Sequence, residues 1–168
     1  MRIIVSLLLC GLLLCQCSMK VNFHGGGTID PNLKTLSVET FSNESAIIVP
    51  TLSQDFTEAI RDRFLSQSRL SLTNGSADVE VSGSIYDYSI RPTSITGDET
   101  AAQNQLTIAV KVSFTNNVNT NESWEKTFSS TSTPFSSSLD FNSIEGDIIT
   151  EVIEQLTQDI FNQSLGKW

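Results

Sequence analysis

The chain has 168 residues, a formal net charge of −9 and only 17% charged residues. That balance argues against a nucleic-acid binder, whose footprint is a basic patch. Ser, Thr and Asn together outnumber the charged residues, so the surface is mostly uncharged and polar, as suits an exported protein or one packed against another polar surface.

The first element is an export signal over residues 1–16. Arg2 precedes an apolar run from Ile3 to Leu14, shorter than the roughly 20 residues a spanning helix needs. Gln16, Ser18, Lys20 and Asn22 end that run abruptly. All three cysteines, Cys10, Cys15 and Cys17, lie in this region, so the rest of the chain has none for a disulfide framework. A lone cysteine at a signal junction resembles a lipobox, where the thiol takes a diacylglyceride and the new amino terminus is acylated. Cys17 is the favoured lipidation site because the polar tail begins directly after it, although Gln16 stands where a small residue is usual. Cys15, behind Leu12-Leu13-Leu14, is the competing site. Two or more acyl chains anchor stably where one is marginal. The absence of aspartate at Ser18 points, by analogy with lipoprotein sorting, to the outer membrane facing the periplasm. Residues 17–32, with Gly25-Gly26-Gly27, read as the lipidated terminus and a flexible tether. Residues 33–168 are read as a single domain, long enough for a sizeable core.

Within that domain Leu36 and Val38 mark a strand over Lys34 to Phe41. Thr51 and Gln54 have capping-box spacing, and Leu52, Phe56, Ala59, Ile60 and Phe64 recur with helical period, predicting a helix from Leu52 to Ser68. Asn74-Gly75 is a turn. Val79, Val81 and Ile85 alternate in one phase, whereas Tyr86, Tyr88 and Ile90 follow the other. Either both faces are covered there or a bulge shifts the register. Pro92 ends that strand. Leu106, Ile108, Val110, Val112 and Phe114 then alternate with Gln105, Thr107, Lys111 and Ser113, giving a strand with one face on the core. A turn over Asn116 to Asn121 returns the chain antiparallel through Trp124 and Phe128. A final helix carries Ile148, Ile149, Val152, Ile153, Leu156, Ile160 and Phe161, with Asn142 and Glu145 as candidate caps. The order β-α-β-β-β-α predicts an α+β two-layer sandwich: a four-stranded, largely antiparallel or mixed sheet with two amphipathic helices on one face. Its other face should meet water or a polar partner.

No catalytic or metal constellation stands out, and no cofactor is implied. The only histidine, His24, sits in the tether, so no serine–histidine–acid set is available. Asp98-Glu99 and Glu145 with Asp147 read as a solvated loop and a helix start. The last helix is acidic through Glu145, Asp147, Glu151, Glu154 and Asp159; a solvated face is the plain reading, a surface for basic residues of a partner the other.

Several segments together resemble a known family: the Cys17-Ser18 junction, Ile29-Asp30-Pro31, Thr35 to Phe41 with Asn43, Pro50 to Gln67, and Ile160-Phe161-Asn162. They look like the LptE family of lipopolysaccharide-assembly lipoproteins in its Bacteroidetes-type form, with Pro50 to Gln67 the most specific block. The resemblance implies two helices on a four-stranded sheet and a non-enzymatic role. It also implies a partner: family members plug the lumen of a large outer-membrane β-barrel, LptD, support its assembly and take part in delivering lipopolysaccharide to the outer leaflet. Lipopolysaccharide carries phosphates and arginine grips phosphate, so Arg61, Arg63 and Arg69 are the candidate lipopolysaccharide contacts, with a solvated helix end as the plainer alternative. The competing functional class is a free outer-membrane lipoprotein that binds a glycan or lipid without a barrel partner.

Overall fold

In the computed structural model the described residues are 29–93 and 102–166. The export signal, Cys10, Cys15, Cys17, His24, the Gly25-Gly26-Gly27 tether and Asp98-Glu99 lie outside them. The elements run β1 (Thr35–Val38), β2 (Ser42–Asn43), α1 (Leu52–Gln67), β3 (Ser71–Leu72), β4 (Val79–Pro92), β5 (Gln103–Asn116), β6 (Trp124–Thr131), β7 (Phe135–Ser136) and α2 (Phe141–Ser164).

The α+β class is as expected, but the sheet has seven strands rather than four. Its main path is β3-β1-β4-β5-β6, with β2 added to β4 and β7 to β5. The three extra strands are two-residue pieces, too short to show the alternation that marks a strand in sequence. The sheet is mixed: β1 runs parallel to β3 and β4, and β4, β5 and β6 form an antiparallel meander.

The phase change in β4 is a bulge. Its register against β5 shifts between Ile85 and Asp87, so Tyr86 is the unpaired residue and stays 46% exposed. Tyr88 thereby returns to the core beside Ile108. One inserted residue puts Val79, Val81, Ile85 and Tyr88 on the same face despite their broken spacing.

Both helices cover that face. On α1, Leu52, Phe56, Ile60 and Phe64 recur every fourth residue and are fully buried. On α2, Val152, Leu156 and Ile160 do the same. The helices meet edge to face at Phe64 and Phe161, 5.3 Å between ring centres. The sheet contributes Leu36 from β1 and the whole inward row of β5 from Leu106 to Phe114.

Two expected caps differ. Thr51 precedes α1 but makes no side-chain capping bond, and Gln54 donates along the helix to Glu58 at 2.9 Å. The polar anchorage of this end lies at Ser53 and Thr57 instead. Phe41 N donates to Thr57 Oγ1 at 3.0 Å, and Ser53 Oγ donates to the Phe41 carbonyl. Seating Phe41 in the core draws the backbone onto α1, a tertiary demand that outweighs the local motif. For α2 the cap is Asp140, which accepts from Asn142 N at 3.2 Å, not Asn142 or Glu145.

The starts of β1 and β4 are clamped by Asp78. Its carboxylate accepts from Lys34 N and Thr35 N, both at 2.9 Å, while its own N–H donates to Thr35 Oγ1 at 2.8 Å. Those bonds, led by that from Lys34, hold the carboxyl below its usual range.

Candidate functional site: the polar face of the sheet

The strands that bury one row of side chains expose the other. Across β4, β5 and β6 the outward rungs include Ser82–Ser113–Glu125 and Ser84–Lys111–Thr127. Beyond the bulge Ser89 stands beside Thr107, which shares a hydroxyl–hydroxyl hydrogen bond of 3.1 Å with Thr131. This is the polar second face the alternation of β5 predicts, and it extends over all three strands.

Its two ion pairs stand beside three further carboxylates, Glu39, Glu44 and Glu80. Lys111 Nζ lies 2.6 Å from Glu125 Oε1, and that hydrogen bond and charge raise the lysine above its usual range. Both side chains are more than half exposed, so the pair adds little stability; it offsets one charge with another on a face that Glu39, Glu44 and Glu80 keep acidic. At the edge, Arg91 and Asp87 stand 3.8 Å apart.

Two shallow depressions mark the face. One of about 250 Å³ is bordered by Ser42, Glu44, Ser84, Lys111 and Ser113. The other, about 430 Å³, is bordered by Ser37, Glu39, Glu80, Ser82 and Thr115. Small-molecule sites are enclosed and mostly apolar with a few convergent polar groups. Linings of serine, threonine and carboxylate suit a broad polar contact better. Among the described residues no group of three or more His, Cys, Asp or Glu is arranged to hold a metal ion.

The three arginines are not brought together. Arg61 and Arg63 are two residues apart on α1, so they project from different sides of the helix. Arg63 Nη1 donates to Gln158 Oε1 of α2 at 3.1 Å, an acceptor shared with Gln67. Arg61 has a buried Nε with no hydrogen-bond partner, and Arg69 is exposed beyond the helix end.

The acidic helix is likewise only partly a solvated face. Glu145 accepts from the Tyr88 hydroxyl at 2.7 Å, and Glu151 accepts from Thr133 N at 2.9 Å. Burial first, then the hydrogen bond and charge of Glu145, push the Tyr88 phenol well above its usual range. Asp147, Glu154 and Asp159 remain exposed. No sequence signal pointed to these tethers, because both cross from α2 to distant parts of the sheet layer. Among the described residues no helix is long and apolar enough to cross a membrane, which leaves strand-built crossings unaddressed.

A family model described as LptE, lipopolysaccharide-assembly, matches residues 33–164. A search of curated proteins finds no match. Among solved structures, a minor lipoprotein of Acinetobacter baumannii is 18% identical, with 78% of this chain and 91% of that one covered at a TM-score of 0.50. A hypothetical protein of Chlamydia trachomatis is 12% identical, covering 80% and 99% at 0.51. A putative neuraminyllactose-binding hemagglutinin homolog of Helicobacter pylori is 8% identical, covering 79% and 86% at 0.52. At such identities the likeness speaks for the fold alone.

Proposed function

The chain belongs to the LptE family of lipopolysaccharide-assembly proteins, and from that premise we propose that it is anchored to the outer membrane through Cys17 and plugs the lumen of a large LptD-like β-barrel. In that position it supports assembly of the barrel and the delivery of lipopolysaccharide to the outer leaflet. The role is one of assembly and transport, without catalysis. The family match over residues 33–164 carries this reading; the outer face of the sheet supports it physically. Wide barrels have polar interiors, and a charge taken out of water there is costly unless paired. Ser, Thr and the Lys111–Glu125 pair can exchange water for polar groups of a lumen wall without that penalty, and Glu39, Glu44 and Glu80 call for basic or donor groups on that wall.

Gentle detergent extraction of a tagged full-length chain from its host should recover a large, heat-modifiable outer-membrane barrel in near-equal amount. Recovery of the lipoprotein alone would reject the plug and favour the free glycan- or lipid-binding lipoprotein.

Direct contact of Arg61, Arg63 and Arg69 with lipopolysaccharide phosphates is a separate part of the proposal. Arg63 already donates to Gln158, so the burden falls on Arg61 and Arg69. Reversing both, Arg61→Glu with Arg69→Glu, should weaken lipopolysaccharide binding by the purified protein at least about tenfold, the loss of one charge-assisted contact. Unchanged binding removes the arginines from the proposal and leaves the plug standing.

A further inference from the structure

β6 ends the main path of the sheet, and among the described residues it pairs only with β5. Just past its end Ser132 N donates to Leu106 O at 2.9 Å. Antiparallel ladders alternate, so the even-numbered residues of β6 direct their backbone groups to β5. The N–H and C=O groups of Glu125, Thr127, Ser129 and Thr131 therefore point out of the edge, where no described residue meets them.

Exposed edges are normally blunted by short length, proline, a bulge, charged side chains, lysine above all, a charge on the inward row, or a covering helix or loop. β6 has eight residues, no proline and an unbroken register against β5. Its one guard is Lys126, on the inward row with Trp124 and Phe128 and 5.9 Å from the Trp124 ring centre, while Glu125 turns to Lys111; neither covers the outward backbone groups. The opposite edge is blunted by brevity, a two-residue β3 beside a four-residue β1.

The flank of the open edge restricts what can lie there. Ser130 Oγ donates to Gln155 Oε1 at 2.6 Å, and Glu151 takes the Thr133 N–H, so this ridge of α2 borders β6. Stepping by four along the same ridge gives Asp147, Glu151, Gln155 and Asp159. Two copies joined edge to edge by a two-fold axis would put both acidic ridges on one side of a continuous sheet, each in a chain of net charge −9. That opposes self-pairing. A different protein avoids it, provided its side chains are small and uncharged over the sheet face and basic or amide-bearing toward α2.

We propose that the open edge of β6 receives an extended segment of the outer-membrane partner, which adds as a further strand through the outward backbone groups of Glu125, Thr127, Ser129 and Thr131. The inference rests on the barrel reading above and specifies one contact within it. Main-chain bonds would supply the affinity and the acidic ridge the selection among segments.

The test compares tagged full-length wild type with Thr127→Pro, co-expressed with the barrel. Proline removes one outward N–H while leaving the β5 rungs in place. Barrel recovery should fall at least tenfold, with far-ultraviolet circular dichroism unchanged. Independently, in the wild-type complex the amide hydrogens of Glu125, Thr127, Ser129 and Thr131 should exchange at least tenfold more slowly than in the free protein, and this readout decides if the variant does not fold. Barrel recovered equally by both proteins, with those amides exchanging at the free rate, overturns the edge contact and spares the barrel reading. No barrel with wild type overturns both. The same amide protection in a barrel-free dimer overturns the choice of occupant.

Discussion

Gly83→Ala is expected to lower the stability of the domain by roughly 3 kcal/mol, a large effect for one added methyl group. A Cβ at this position would stand 2.0 Å from the Lys111 carbonyl oxygen and 2.7 Å from Cε1 of Phe41. The first contact is with the backbone of the neighbouring strand, which no change of rotamer relieves. The second is with a ring that is fully buried and packed against Phe56, 4.9 Å between centres. Relief requires β4 and β5 to separate where they pair most continuously, or Phe41 to leave the core and pull its bonds from Ser53 and Thr57. Against a typical total of about 5–15 kcal/mol the loss is a large fraction. It should appear as a fall of roughly 6–12 °C in the thermal midpoint for a domain of this size. The control is the same change at Gly146, where a Cβ meets nothing within 4 Å. There, inside α2, alanine should stabilise by roughly 0.5–1 kcal/mol. A midpoint for Gly83→Ala within about 2 °C of wild type would mean that the close approach yields freely.

Cys17→Ala is expected to move the protein from the membrane pellet to the soluble fraction almost completely. Each acyl methylene buried in a bilayer contributes about 0.8 kcal/mol, and stable anchoring takes two membrane signals. On the proposal that Cys17 carries the lipid, removing its thiol removes the site for the diacylglyceride and for the terminal acylation that follows it. Because no helix of the described residues can span a membrane, the protein domain offers no helical substitute. Cys15→Ala should leave both the membrane fraction and the acylated mass unchanged. Release by Cys15→Ala but not by Cys17→Ala would reassign the lipid to Cys15. Retention of both variants in the membrane would instead favour an uncleaved anchor helix.

What the sequence made legible follows from periodicity. The alternation of Leu106 to Phe114 against Gln105 to Ser113 defines the inward and outward rows of β5 by itself. The outward row then identified the polar face of the candidate site. The four-residue spacing from Leu52 to Phe64 placed α1 to within one residue at its end. The phase change after Ile85 left two readings open, and only the partner strand decides between them, because a bulge is a mismatch in count between neighbours. Ser42-Asn43, Ser71-Leu72 and Phe135-Ser136 carry no pattern at all. They are extended because adjacent strands offer them free backbone groups. The arginines are close in sequence yet do not form one patch, because a helix separates residues two apart. The β6 edge was hidden because strand order, not strand identity, decides which backbone groups are left over.

The parallel pairing of β1 with β4 has a consequence for biogenesis. Leu36 finds its rung partners in Leu72 and Val79, both on the far side of α1, so β1 has no native ladder until those later stretches have been synthesised. β5 and β6, by contrast, each pair with the strand just before them in the chain. Residues ahead of β1 are therefore made while β1 is still unpaired, and the ladder that holds β1 closes only afterwards.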